Sequence, residues 1–390
     1  MATIGCDILV VGGGVIGAGI AYHLARAHEA EVVLCEQAPL PARGATSRSA
    51  GLIRMHHTSM DVVPLALASL RTYAHWHDAV GGDCGFRRTG FALVVGPEHA
   101  GELRANVRLL RREGVDTTAL EPEELRELQP FAAVDDVGAA AYEPESGYAD
   151  PVLTTLAFLE QARSRGLKVA DGATVLELRL EDDRVCGADT NLGEIEARTT
   201  VLAGGAWTAA LLSRHGIELP IRSREIGTCL VDGSRLPPAP ACLTYIDDVT
   251  GGYFRPDDTG ALVAGVPVER WDVDPDAELP PLELAQLEQA RERLAHRIPL
   301  LRDAELVGTR PGFDAYTPDK QPLVGRLPEL DELYVATGFS GGGFKLAPAL
   351  GEAVAAELLA DETRPELEPF RPDRFVLEQP IETRNVYAHL

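Results

Sequence analysis

The sequence predicts an α/β protein in which a Rossmann-like dinucleotide-binding domain is interleaved with a second, α+β domain built on an antiparallel sheet. Three observations carry this prediction. An apolar, β-branched run near the start breaks into G-x-G-x-x-G, then into a helical period and a second strand that ends on an acid. Two later apolar runs, near residues 200 and 335, also break into glycine. Between them, Phe91–Val95, Gly252–Arg255 and Ala261–Ala264 read as strands of one antiparallel sheet.

Cys6–Val11 reads as a buried parallel strand. It enters a turn in which Gly12 permits the tight bend, Gly14 allows close approach of a pyrophosphate, and Gly17 lets the helix lie against the sheet. With Val15 and Ile16, these residues form the first cofactor-binding segment, and the helix N-terminus offers free N–H groups to a diphosphate. Ala18–His28 has helical spacing, with Ile20, Ala21 and Leu24 on one side. The strand from Glu31 to Cys35 ends at Glu36, followed by Gln37. The Glu36 carboxylate suits ribose hydroxyls and repels a 2′-phosphate, which disfavours NADP.

Three further segments point to FAD rather than NAD. Arg43–Arg54 is rich in small and hydroxyl residues, and Ala45, Thr46, Ser47, Ser49, Ala50, Gly51 and Leu52 suit a backbone lying against a flat ring system. Thr199–Leu202 reads as a late strand of the same domain that runs into Gly204, Gly205 and Trp207. Leu333–Gly338 is another strand, with Gly338 leading into Gly341, Gly342, Gly343, Phe344 and Lys345 before a helix predicted from about Ala347 to Ala360. That helix dipole suits negative charge on a reduced flavin. Val175 completes the predicted cofactor set.

The predicted cofactor domain comprises about 1–80, 145–220 and 325–390, and the substrate domain about 81–144 and 221–324. Leu103–Arg112 and Leu284–Leu294 are amphipathic helices, Arg235–Pro240 and Asp274–Pro281 are Pro-rich loops, and Glu121–Glu127 is a solvated helix face. The 390 residues carry 36 Lys+Arg against 60 Asp+Glu, a net charge of −24, which argues against nucleic acid and anionic membranes as partners. No apolar run reaches a membrane span. The six cysteines, at 6, 35, 84, 186, 229 and 242, form no metal-binding pattern, and no metal is expected. Reduced core thiols and a first strand starting too early for a secretory leader predict a cytoplasmic protein.

These segments resemble the D-amino-acid-oxidase-like FAD oxidoreductases, in the branch of sarcosine oxidase, glycine oxidase and D-amino-acid dehydrogenase. The matching pieces are GGGVIG, Glu36, GATSRSAGLIR (44–54), AGGAW (203–207), TRPGFDAYTPDKQPLVGR (309–326) and ATGFSGGGFKLAPALGE (336–352). The resemblance implies hydride transfer from a carbon beside nitrogen to flavin N5, giving an imine from a small amine or amino-acid substrate, with O2 or another carrier as electron acceptor. It implies as carboxylate-binding cations Arg54 and Lys345, which match sarcosine oxidase, or Arg310, which matches glycine oxidase and D-amino-acid dehydrogenases, a task suited to cations. Only three residues, Lys168, Lys320 and Lys345, are lysines, which singles out the one in the glycine segment. Gly312 stands where sarcosine oxidase carries its flavin-tethering cysteine, so FAD is expected to be noncovalent. Val263 stands near that enzyme's oxygen-activating lysine, which weakens the case for an oxidase. Tyr245, Tyr253 and Phe254 read equally as an aromatic wall over the flavin or as core; Tyr253 is retained with the catalytic candidates. His56 and His57 could line the pocket but read more readily as core or surface histidines. A 2-hydroxy-acid dehydrogenase, or the flavin subunit of a sarcosine, proline or opine-type dehydrogenase complex, are the alternatives; homo- and hetero-oligomers both remain open.

Overall fold

The computed structural model describes residues 3–39, 44–237, 242–383 and 387. Arg43 and the end of the Arg235–Pro240 loop lie outside them. Strand Ile4–Val11 sits at the centre of a predominantly parallel sheet, between Gly193–Leu202 and Val32–Glu36. Leu333–Thr337 adds in parallel beyond Gly193–Leu202, and Lys168–Asp171 beyond Val32–Glu36. Strands from widely separated parts of the chain thus put their C-terminal ends, and the turns that follow, on one edge, where α/β sheets bind nucleotides.

Helix Val15–Ala27 runs back over this sheet, flanked by Pro151–Arg163 and Gly343–Ala360, with Val63–Ala74 packed outside the last. Ile20, Leu24, Phe158 and Leu350 are fully buried between them. The antiparallel strands Val175–Glu181 and Arg184–Thr190 extend from Gly193–Leu202.

A second eight-stranded sheet runs in the order Leu306–Tyr316, Arg222–Asp232, Ala261–Gly265, Gly252–Pro256, Thr244–Asp247, Phe91–Val95, Ala139–Glu143, Thr118–Leu120. The expected strands all lie in it. It is not wholly antiparallel, because Thr244–Asp247 pairs with Phe91–Val95 in parallel. Helices Ala100–Arg112 and Leu284–Arg297 contain the two amphipathic stretches, and Glu123, Glu124 and Glu127 are exposed on the short helix Pro122–Leu128. The six cysteines are all free.

The helix expected from Ala347 begins four residues earlier, at Gly343, and contains Pro348. Pro348 lacks the N–H that would bond the Phe344 carbonyl, which is why a proline reads as a boundary. The buried Tyr73 hydroxyl donates to that carbonyl instead, at 2.8 Å. The Ser69 hydroxyl donates to the Leu346 carbonyl and accepts from Ala349 N–H, both at 3.1 Å. Lys345 is therefore in the first helical turn, held by the helix rather than by a loose glycine segment. Tyr73→Phe leaves a buried carbonyl unpaired and is expected to cost about 1–3 kcal/mol, read as a lower denaturant midpoint; an unchanged midpoint would mean that water replaces the hydroxyl.

Candidate active site

The cofactor cradle follows from backbone geometry. Gly12 has φ +109°, and a Cβ there would fall 2.5 Å from the Ala203 carbonyl oxygen; at Gly17 it would fall 1.9 Å from that of Gly12. Thr46, in the short helix Ala45–Arg48, accepts the Val15 N–H on its hydroxyl at 3.1 Å and lies over Gly14. The N-cap residue Gly14 supplies no side-chain cap and the first turn has no acid, so apart from the Thr46 contact the helix's positive end is left for a diphosphate. The Glu36 carboxylate is buried at its strand end and accepts from Gly13 N–H at 2.6 Å and Ala38 N–H at 2.9 Å. It stands within a residue of the turn, with Gln37 half-buried beside it. These residues fit a dinucleotide.

The other expected cofactor residues sit as follows. Ser47 donates to the Gly44 carbonyl, the Ser49 hydroxyl accepts from Gly51 N–H, Ala50 is buried, and Leu52 pairs with Tyr148. Val175 is half-buried against the small core cluster that contains Leu9, Val33 and Cys35. Gly204 follows the strand end, and the Gly205 carbonyl accepts from the Thr337 hydroxyl. Trp207 rests edge-on against Phe313, with centroids 5.1 Å apart, and donates its Nε1–H to Asp276. Gly338 and Gly341 have positive φ, Gly342 is the N-cap of the last long helix, Gly343 is its first residue, and Phe344 packs on Tyr73.

On the substrate side, Lys345 is buried, and its Nζ donates to the Gly341 carbonyl at 3.4 Å. Burial, and next the charge of Arg54, press its ammonium well below the usual lysine range. Burial lowers the Arg54 guanidinium to about 10; Arg54 donates to the His56 carbonyl. Asp314 accepts from Gly341 N–H and Ala315 N–H, both at 2.8 Å, and burial pushes it up to about 6 against these bonds and the Lys345 charge. His57 is held well below its ordinary value by burial and by Arg54 and Lys345, so it is neutral. Two cations, a carboxyl group and a neutral imidazole thus converge at the glycine segment.

One face of the second sheet supplies the opposite wall. Arg310, Gly312, Asp314 and Tyr316 alternate along one strand, opposite Thr228, Ile226, Arg224 and Arg222 on the next. Arg310 is exposed and stands by Arg255, whose charge it opposes, rather than by Arg54 and Lys345. Tyr253 is half-buried, with its ring against Gly265, where a Cβ would fall 2.3 Å from it. Tyr245 and Phe254 do not form the aromatic wall: they stack on each other at 4.8 Å in the sheet's other core, because strand alternation turns Phe254 away from Tyr253. Gly312 lies under Arg48, whose Nε donates to the Pro311 carbonyl.

Sequence reasoning missed five groups. Asp314 and Tyr316 follow Arg310 at period two, a signal that was legible. Arg224 lies between Trp271 and Tyr316, at 5.1 and 5.4 Å from their centroids. Arg255 is buried cross-strand from Val263, over the Tyr148 ring at 4.3 Å, and donates to the Ala50 carbonyl. A buried cation therefore stands beside the position where the resemblance removes a lysine. Glu143 is the fifth. His56 is core: its Nε2 lies 3.0 Å from the Tyr387 hydroxyl, and burial lowers it to about 3. Among the described residues no cluster of His, Cys, Asp and Glu could hold a metal, and no helix is long and apolar enough to cross a membrane.

A dinucleotide cradle whose neighbouring glycine segment holds paired cations defines a flavin-dependent oxidoreductase. Residues 7–357 match the family model described as "DAO: FAD dependent oxidoreductase", and the chain belongs to that family, with FAD as its cofactor. It is 29% identical over 359 residues to 4-methylaminobutanoate oxidase (formaldehyde-forming) of Paenarthrobacter nicotinovorans, covering 89% of this chain and 43% of that protein. It is 27% identical to mitochondrial dimethylglycine dehydrogenase of Rattus norvegicus, covering 95% and 45%. The chain thus spans less than half the length of these curated relatives. Among solved structures, L-proline dehydrogenase from P. horikoshii superposes with a TM-score of 0.88 at 28% identity, covering 97% of this chain and 100% of that one.

Proposed function

We propose that the chain oxidises a small amino acid or secondary amine, of the N-methyl or imino-acid class, at a carbon beside nitrogen to give an imine. The carrying observation is the pair of cations beside the glycine segment, half-buried Arg54 and buried Lys345: two like charges held together in a partly desolvated site call for an anion between them. The names of the relatives, a methylaminobutanoate oxidase, a dimethylglycine dehydrogenase and a proline dehydrogenase, support the substrate class. Bound FAD supplies the hydride acceptor. The protein anchors the carboxylate on Arg54 and Lys345, with Tyr253 facing the site; Arg310, exposed beside Arg255, lies away from this pair. His57, held neutral, adds no third positive charge beside the anchor. The amine reacts without its extra proton, since an ammonium has no lone pair to assist hydride loss. FAD is held noncovalently by 1–80, 145–220 and 325–390; 81–144 and 221–324 form the substrate domain, and the enzyme works in the cytoplasm.

An anaerobic screen reads this directly. Sarcosine, dimethylglycine, 4-methylaminobutanoate, L-proline and glycine are mixed with the holoenzyme, with lactate and 2-hydroxyglutarate as hydroxy-acid controls. Bleaching of the flavin by at least one amine and by neither hydroxy acid is expected. Bleaching by the hydroxy acids alone would overturn the reading. Oxygen uptake with the same amine separates O2 from another carrier.

A further inference from the structure

Glu143 is buried at the end of strand Ala139–Glu143, on the second sheet, directly behind the segment that carries Arg54. Its Oε2 accepts from Met55 N–H at 2.8 Å and from the Ser146 hydroxyl at 2.7 Å. The His56 N–H also lies close enough to favour its ionised form. An acid buried and fixed to the residue after Arg54 costs stability unless its charge matters. We propose that Glu143 is a positioning residue whose ionisation sets how much of the Arg54 charge a substrate carboxylate can use, so that carboxylate binding draws one proton onto Glu143. The proposal rests on the assignment of Arg54 as a carboxylate anchor.

The physical chain is short. Ionised Glu143 and a bound carboxylate compete for the field of one guanidinium in a low-dielectric interior. Binding the anion therefore favours protonated Glu143, and by linkage anion affinity falls as pH rises through the Glu143 transition. Burial pushes Glu143 up to about 7, against the pull of the Met55 N–H, the Ser146 hydroxyl, the Arg54 charge and the His56 N–H, which places the transition near neutrality. The groups around this carboxyl and its guanidinium are Arg54, His56, His57, Lys345, Asp314 and Ser146. The two imidazoles are neutral throughout. Asp314 and Lys345 also titrate beside Arg54 and must be separated by the test.

The test uses the FAD-loaded enzyme and propionate, a carboxylate without an amine, so that no substrate nitrogen titrates. Propionate affinity is followed from pH 6 to pH 9 by its perturbation of the flavin spectrum. In the wild type, affinity is expected to weaken above about pH 7 by up to about tenfold per pH unit, the limit for one linked proton. Glu143→Gln is expected to abolish that bend. Ser146→Ala removes a bond to the ionised form, and is expected to move the bend to higher pH; it decides the matter if Glu143→Gln does not fold. A bend that persists unchanged in Glu143→Gln, or an unmoved bend in Ser146→Ala, assigns the proton to Asp314 or Lys345 and overturns the proposal. Arg54→Ala that binds propionate like the wild type overturns the anchor itself, a separate failure.

Discussion

Arg54→Ala is expected to lower kcat/KM for the amine substrate by about 30-fold to several thousand-fold, with FAD content unchanged. The figure corresponds to about 2–5 kcal/mol for removing one partner from a buried, charge-assisted contact. Lys345→Ala should fall in the same range, because the Lys345 charge lies close enough to Arg54 to be opposed by it and Lys345 is fixed by the first helical turn. Arg54→Lys should recover only part of the loss, since an ammonium lacks the planar fork that matches a carboxylate. Steady-state kinetics and the flavin-to-protein absorbance ratio read the outcome. Normal kinetics in both alanine variants would leave the carboxylate anchor without support.

Gly17→Ala is expected to give protein that holds no FAD. Its Cβ would sit 1.9 Å from the Gly12 carbonyl oxygen, a distance that only a rebuilt turn can relieve. Gly14→Ala is the instructive contrast: its Cβ would meet the movable Thr46 hydroxyl at 3.2 Å, so FAD binding should weaken rather than vanish. Gel filtration followed by the absorbance ratio distinguishes the two. Stoichiometric FAD in Gly17→Ala would mean that the turn does not carry the diphosphate.

The parts of the molecule that announce themselves in sequence are those whose physics is local. The turn at 12–17, the acid at Glu36 and the strands that break into glycine depend on residues within a few positions of each other. Lys345 was legible because a rare residue fell in a glycine segment. The start of its helix was not, because Pro348 signals a boundary unless a distant hydroxyl, Tyr73, accommodates it. Arg255 and Glu143 were hidden for a related reason. Their roles come from the Ala50 carbonyl and the Met55 N–H, contacts made across 205 and 88 residues. The alternation of Tyr253 and Phe254 could be read, but which face meets the site depends on where the whole sheet lies.

The pairing of Ile4–Val11 with Gly193–Leu202 bears on how the protein comes into being. The carbonyl packed against Gly12 belongs to Ala203, synthesised long after the 12–17 turn, and the glycine segment after Gly338 follows later still. A nascent chain therefore exposes an unpaired parallel strand edge until Gly193–Leu202 emerges, the situation in which slow, non-local sheets aggregate. FAD has no completed cradle to bind until nearly all of the described chain is available, so it acts as a late ligand that traps the finished topology. Flavin supply during expression should govern yield more than any single side chain of the substrate pocket does.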